Sequence, residues 1–169
     1  MFHRDSIRLR NHDYRVGVYF ITLVTYRRRR LFGSIQAGRM LLSAAGEVAH
    51  EQWQNVAHLR THALIDEFVV MPDHFHAIVW LRDDTTPYQF RRCSRLPGFT
   101  FRKFSGSQGP SLMTVVGSYK AGVSRYLRLF DGSLKAVWQR NYYERLIRSQ
   151  EDLERCREYI RNNPKNWKG

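Results

Sequence analysis

The amino-acid sequence predicts an α+β domain in which helices pack on an antiparallel sheet. Two observations predict it. Short segments rich in β-branched and aromatic residues alternate with longer stretches of helical periodicity. A chain of 169 residues with 43% hydrophobic content can also build one sizeable core.

Residues 1–15 are polar and charged and read as an arm. Val16 to Thr25 (VGVYFITLVT) reads as a buried strand and runs into Arg27, Arg28, Arg29 and Arg30. From Ser43 to Leu59 the spacing is helical: Val48, Trp53, Val56 and Leu59 share a face, with Glu47 and Glu51 outside it. Ala63 to Met71 and His74 to Leu81 read as two strands joined at Pro72-Asp73, hence a hairpin. Residues 82–110 form a long irregular loop with Arg91, Arg92, Arg95, Arg102 and Lys103 among Phe90, Phe99, Phe101 and Phe104. Ser111 to Phe130 is an amphipathic helix whose stripe includes Val115, Tyr119, Val123 and Leu127. Val137 to Ile147 reads as a strand with a break near Asn141. Ser149 starts a last helix with a capping box, and Pro164 ends it. The order strand, helix, strand, strand, helix, strand, helix suits a ferredoxin-like antiparallel sheet in a single domain spanning residues 1–169.

The net charge is +13, a surplus that attracts a polyanion, of which nucleic acid is the usual one. A basic surface serving solubility or ribosome contact is the alternative. Cys93 and Cys156 are far apart and form no C-x-x-C, which argues against a disulfide framework and a zinc ribbon and for a reducing compartment. The N-terminal residues lack an apolar segment after a basic start, and no apolar run approaches the ~20 residues of a membrane span. A cytoplasmic protein without a membrane partner is expected.

His74 and His76 stand at alternate positions of a strand and project from one face, while Phe75 points to the other. Two neutral imidazoles side by side make half a site for a divalent cation, although such pairs also occur with no metal role. Tyr159 and Asn163, one helical turn apart, share a stripe of the last helix at the rim of its apolar face. Alone, Tyr159 reads as a packing tyrosine and Asn163 as a helix terminator. Lys120 and Arg128 share one side of their helix, which either faces DNA or is a solvated face. The arginines and phenylalanines of the long loop suit phosphates and unpaired bases, or else merely tether the loop.

The stretch Asp66-Glu67-Phe68-Val69-Val70-Met71-Pro72-Asp73-His74-Phe75-His76-Ala77-Ile78-Val79 resembles the metal-binding strand pair of the single-tyrosine (HUH) insertion-sequence transposases. The match is best to the branch of REP-associated tyrosine transposases. Three other parts agree in order and spacing. They are Asn11-His12-Asp13-Tyr14-Arg15 through to Leu31-Phe32-Gly33, then Val116-Gly117-Ser118-Tyr119-Lys120, then Trp138 to Glu144 with Tyr159 to Pro164. The first strand, Gly17-Val18-Tyr19-Phe20, departs from the Gly-Thr-Trp common in that branch.

The resemblance implies an HUH-type domain, with His74, His76 and Asn163 as ligands of Mg²⁺ or Mn²⁺ and Tyr159 as the nucleophile. It implies a transposase that nicks and rejoins single-stranded DNA, hairpin or palindromic, through a 5′-phosphotyrosine, working as a monomer or homodimer. Arg27 to Arg30, the basic loop residues, Lys120 and Arg128 are the candidate DNA contacts. A non-catalytic nucleic-acid-binding protein and a metal phosphodiesterase using water are the rival readings.

Overall fold

The β-branched and aromatic run near the start of the chain becomes a central strand. The computed structural model describes residues 17–59, 62–82 and 111–169. The arm, and Arg91, Arg92, Arg95, Arg102 and Lys103 of the basic loop, lie outside the described residues. The elements are β1 (Gly17–Val24), β2 (Gly33–Gln36), β3 (Arg39–Leu42), α1 (Ala44–Leu59), β4 (Ala63–Val70), β5 (His74–Leu81), α2 (Leu112–Phe130), β6 (Tyr143–Ile147) and α3 (Gln150–Asn162). Four strands form one antiparallel sheet in the order β4-β5-β1-β6. Each helical crossover, β1–α1–β4 and β5–α2–β6, therefore skips over one strand, as in a ferredoxin-like fold.

Side-chain alternation sorts the sheet into two faces. Tyr19, Ile21 and Leu23 of β1 and Phe75, Ala77, Val79 and Leu81 of β5 point into the main core beneath α1 and α2. Its centre is an aromatic trio: Trp53, Phe75 and Tyr119 have ring centroids 4.9–5.1 Å apart. Truncating a buried aromatic of this kind costs roughly 3–5 kcal/mol. The opposite face carries a smaller cluster, in which Leu153, Cys156 and Ile160 of α3 lie over Ile78 and Ile147, with Val18, Phe20, Val69 and Trp80 around them.

The helix starts follow local chemistry. Ser111 and Thr114 form a reciprocal capping box, and the Ser149 hydroxyl accepts from the backbone N–H of Asp152. Ser43 does the same for Gly46.

Two elements differ from the sequence reading. The hairpin β2–β3 was not anticipated. Its turn places Ala37 (φ 48°) and Gly38 (φ 71°) in the left-handed region, a geometry usually announced by Asn-Gly. The last strand is also shorter than Val137 to Ile147. Residues 137–139 reach the end of β1 through Tyr26 N–H to Val137 O, Gln139 N–H to Val24 O and one isolated bridge, Thr25 to Trp138. Regular pairing with β1 resumes only at Tyr143.

Where α1 begins, its backbone runs close against the chain before β2. A Cβ added at Gly46 would sit 2.1 Å from the carbonyl oxygen of Phe32, a backbone atom that cannot swing away. Gly46→Ala is expected to destabilise the fold by about 1–3 kcal/mol, read as a lower urea midpoint at unchanged slope. An unchanged midpoint would contradict this packing.

Candidate active site

The two histidines lie on the face of β5 that carries the small cluster. They pair across the sheet with Val24 and Thr22 of β1, and both are buried. Their ring centroids are 4.6 Å apart. Each has its Nδ1 already engaged. His74 Nδ1 donates to Asp73 Oδ1 at 2.6 Å, and His76 Nδ1 lies 2.8 Å from the Thr22 hydroxyl. In the neutral ring, a carboxylate partner places the His74 proton on Nδ1 and leaves the lone pair on Nε2. The Thr22 hydroxyl allows the same arrangement at His76.

Asp73 is itself held in place. The buried Thr25 donates its backbone N–H to Asp73 O, and its hydroxyl is shared between Asp73 O and Arg29 O. Arg28 Nη1 reaches Asp73 Oδ2 at 3.3 Å. The end of β1 and the arginine-rich turn thus orient the carboxylate that orients His74.

Burial pushes His76 down to a pKa of about 3; the neighbouring His74 adds to the effect, and a contact with the Ile21 backbone opposes it. His76 is therefore a neutral nitrogen donor at physiological pH.

The last helix crosses this face of its own chain. Tyr159 meets His76 edge-on at 5.3 Å between centroids and Phe20 at 5.8 Å, while Phe20 stacks on His76. Eight residues further on, Trp167 lies 5.4 Å from His74. The chain from Tyr159 to Trp167 thus runs alongside the histidine pair, with Asn163 midway. Asn163 is 9% exposed, and its side-chain amide has no hydrogen-bond partner among the described residues. Tyr159 is 52% exposed, and its hydroxyl is likewise unbonded there. A packing tyrosine would bury its ring; this one meets a histidine in a T-shaped contact and stays half exposed.

The other sequence candidates fall in different places. Arg27 lies over the Tyr26 ring, and Arg29 donates to Ala136 O. Arg27 and Arg28 both adopt left-handed backbone angles, at φ 56° and 52°. Arg30 lies beside Gly169, next to the C-terminus. Lys120 donates to the carbonyls of Gln139, Arg140 and Asn141, and burial lowers its pKa. Arg128 is exposed and donates to Leu134 O and Lys135 O. Thr22, Asp73 and Trp167 belong to the site and were not singled out from the sequence. Asp73 offered one signal, a carboxylate immediately before an H-x-H pair.

No group of three or more His, Cys, Asp or Glu placed to hold a metal ion occurs among the described residues. Asn163, buried one turn after Tyr159, carries the amide that the sequence resemblance assigns beside the His pair. Two preset imidazole nitrogens and an amide oxygen fit a divalent ion.

No protein-family model matches the chain. An uncharacterized protein of Haemophilus influenzae is 36% identical over 171 residues, covering 98% of this chain and 90% of that protein. The chain belongs to the family of that protein. Among solved structures it superposes on a REP-associated tyrosine transposase bound to a REP hairpin. The TM-score is 0.62 and the identity 19%, over 95% of this chain and 73% of that one. The fold is that of the REP-associated tyrosine transposases, as the sequence resemblance implied. In this tyrosine-transposase fold no helix among the described residues is long and apolar enough to cross a membrane.

The buried His76 makes the fold acid-sensitive. Its folded pKa lies below its unfolded value of 6.5. Its stabilising contribution is therefore complete above about pH 6.5 and declines as pH falls toward about 3, because only the unfolded chain takes up the proton. Urea unfolding at pH 7.5 and 5 should show a loss for the wild type that is smaller in His76→Gln. Equal losses would mean that His76 titrates normally in the fold.

Proposed function

We propose that the protein nicks and rejoins single-stranded DNA in a reaction that depends on Mg²⁺ or Mn²⁺ and passes through a 5′-phosphotyrosine at Tyr159. The observation that carries this reading is the meeting of Tyr159 with His76. The half-exposed Tyr159 meets His76, and both imidazoles have their Nδ1 atoms engaged, which leaves Nε2 as the ring nitrogen to offer a ligand. The solved tyrosine transposase of the same fold is bound to a REP hairpin, which supports hairpin DNA as the substrate class here.

His74, His76 and Asn163 would hold the ion, which supplies Lewis acidity toward the scissile phosphate. The protein residues do the rest. Neutral ligands put no negative charge beside an anionic substrate. Asp73 stays one step back, where it holds the His74 tautomer without meeting the phosphate. Arg28 partly offsets the Asp73 charge at the rim, and Arg27, Arg29 and Arg30 on the same turn can track the backbone. Tyr159 loses its phenolic proton to solvent and attacks the phosphorus; the O–P bond to tyrosine forms as the P–O3′ bond breaks, and the leaving 3′ oxygen takes a proton from solvent to become a free 3′-OH. The phosphotyrosine keeps the bond energy, so a 3′-OH can reverse the step and rejoin the strand. The basic loop contacts, Lys120 and Arg128 remain candidates for holding DNA beyond the site.

Incubation with Mn²⁺ and labelled hairpin DNA should give a covalent protein–DNA band that Tyr159→Phe abolishes while still retarding the DNA. Free cleaved DNA without an adduct would point to a water-using phosphodiesterase, and retarded intact DNA to a binding protein. Asp73→Asn should weaken Mn²⁺ binding by roughly 10–100-fold in calorimetry, as removal of an orienting partner does. Unchanged affinity would exclude the assigned ion site.

A further inference from the structure

Tyr159 sits on a helix that has little apolar contact of its own. Only Leu153, Cys156 and Ile160 of α3 are buried. These three can press the helix onto the sheet, but a narrow apolar stripe leaves its roll about the axis loosely determined. A roll of α3 would carry the Tyr159 hydroxyl sideways past His76.

The neighbouring edge strand supplies what the stripe lacks. The register of β4 against β5 shifts between Ile65 and Phe68, and the residues at that irregularity are Asp66 and Glu67. Both carboxylates reach α3. Arg157 makes a fork on Asp66, Nε to Oδ1 at 2.9 Å and Nη2 to Oδ2 at 2.6 Å. Trp80 Nε1 donates to the same Oδ2 at 2.8 Å, which fixes the carboxylate against the sheet. Arg161 Nε donates to Glu67 Oε1 at 3.0 Å. The Asp66 side chain is 12% exposed and that of Arg157 24%, so this pair is shielded from solvent, whereas Arg161 and Glu67 are more open. With about 3.6 residues per turn, Arg157 and Arg161 lie on one flank of α3 and Tyr159 and Asn163 on the other.

We infer that Asp66 and Glu67 are positioning residues for the reaction: they hold α3 by its arginine flank and thereby set Tyr159 against His76. The inference rests on Tyr159 being the nucleophile. The forked Asp66–Arg157 pair carries most of the hold, because a bidentate, partly buried pair resists rotation in a way one exposed bond cannot. The Glu67–Arg161 contact guides the following turn, toward Asn163.

The test uses the full chain with Cys93→Ser, so that Cys156, on the buried side of α3, is the only thiol. Asp66→Asn keeps the shape and removes the charge. It should speed labelling of Cys156 by an aromatic disulfide roughly tenfold or more, the scale of losing a charge-assisted fork. Single-turnover adduct formation with hairpin DNA and Mn²⁺ should slow by a similar factor, with the DNA dissociation constant within about twofold of wild type. Arg157→Lys, which keeps the charge but not the fork, should fall between the two; it decides the matter if Asp66→Asn does not fold. Wild-type labelling and wild-type cleavage rates in these variants would overturn the inference. So would a loss of DNA affinity and global stability that matches the loss of rate, since that is general destabilisation. If the wild type forms no adduct, the nucleophile reading fails by itself, and unchanged labelling would still show that the pair does not hold α3.

Discussion

Everything in this molecule depends on alternation along one strand. From His74 to Leu81, odd-numbered side chains enter the main core and even-numbered ones face α3. Phe75 is therefore locked between Trp53 and Tyr119, while its two neighbours are carried to the opposite face with the same rigidity. A shift of one residue in the register of β5 would exchange these sets and destroy core and site together. The packing of the core is thus also what presents the histidines.

The electrostatics follow from this placement. Burial beside His74 makes protonation of His76 costly, so His76 stays neutral, and the Asp73 carboxylate is spent on orienting His74. The site offers lone pairs without negative charge, in a chain whose formal net charge is +13. Such a surface concentrates a polyanion, and its centre does not repel a phosphate.

The helix that brings Tyr159 is bound differently from the rest. α1 and α2 are fastened by a broad apolar core; α3 rests on three buried side chains and on ion pairs to β4. Apolar contact is non-directional and sets how close the helix lies. A forked arginine–carboxylate pair is directional and sets which way the helix faces. Setting Tyr159 against His76 takes both, and here they come from different residues.

By itself the sequence determined the order of the four main-sheet strands and three helices, the ferredoxin-like class and the shared face of His74 and His76, because strand and helix periods are local properties of the chain. It also placed Tyr159 and Asn163 on one helical stripe. The β2–β3 hairpin escaped because Ala37-Gly38 stands where Asn-Gly would have announced the turn, and the last strand was overdrawn because its first part makes only one bridge. Only the tertiary structure decided that α3 lies across the histidine face, that Thr22 and Asp73 orient the two rings, that Lys120 turns to backbone carbonyls, and that Asp66 and Glu67 meet Arg157 and Arg161. Those are contacts between residues distant in sequence or in directions that no period encodes, and they exist only once the sheet has brought the segments together. The H-x-H pair was legible as two imidazoles on one face; the helix that packs beside them lies more than seventy residues away.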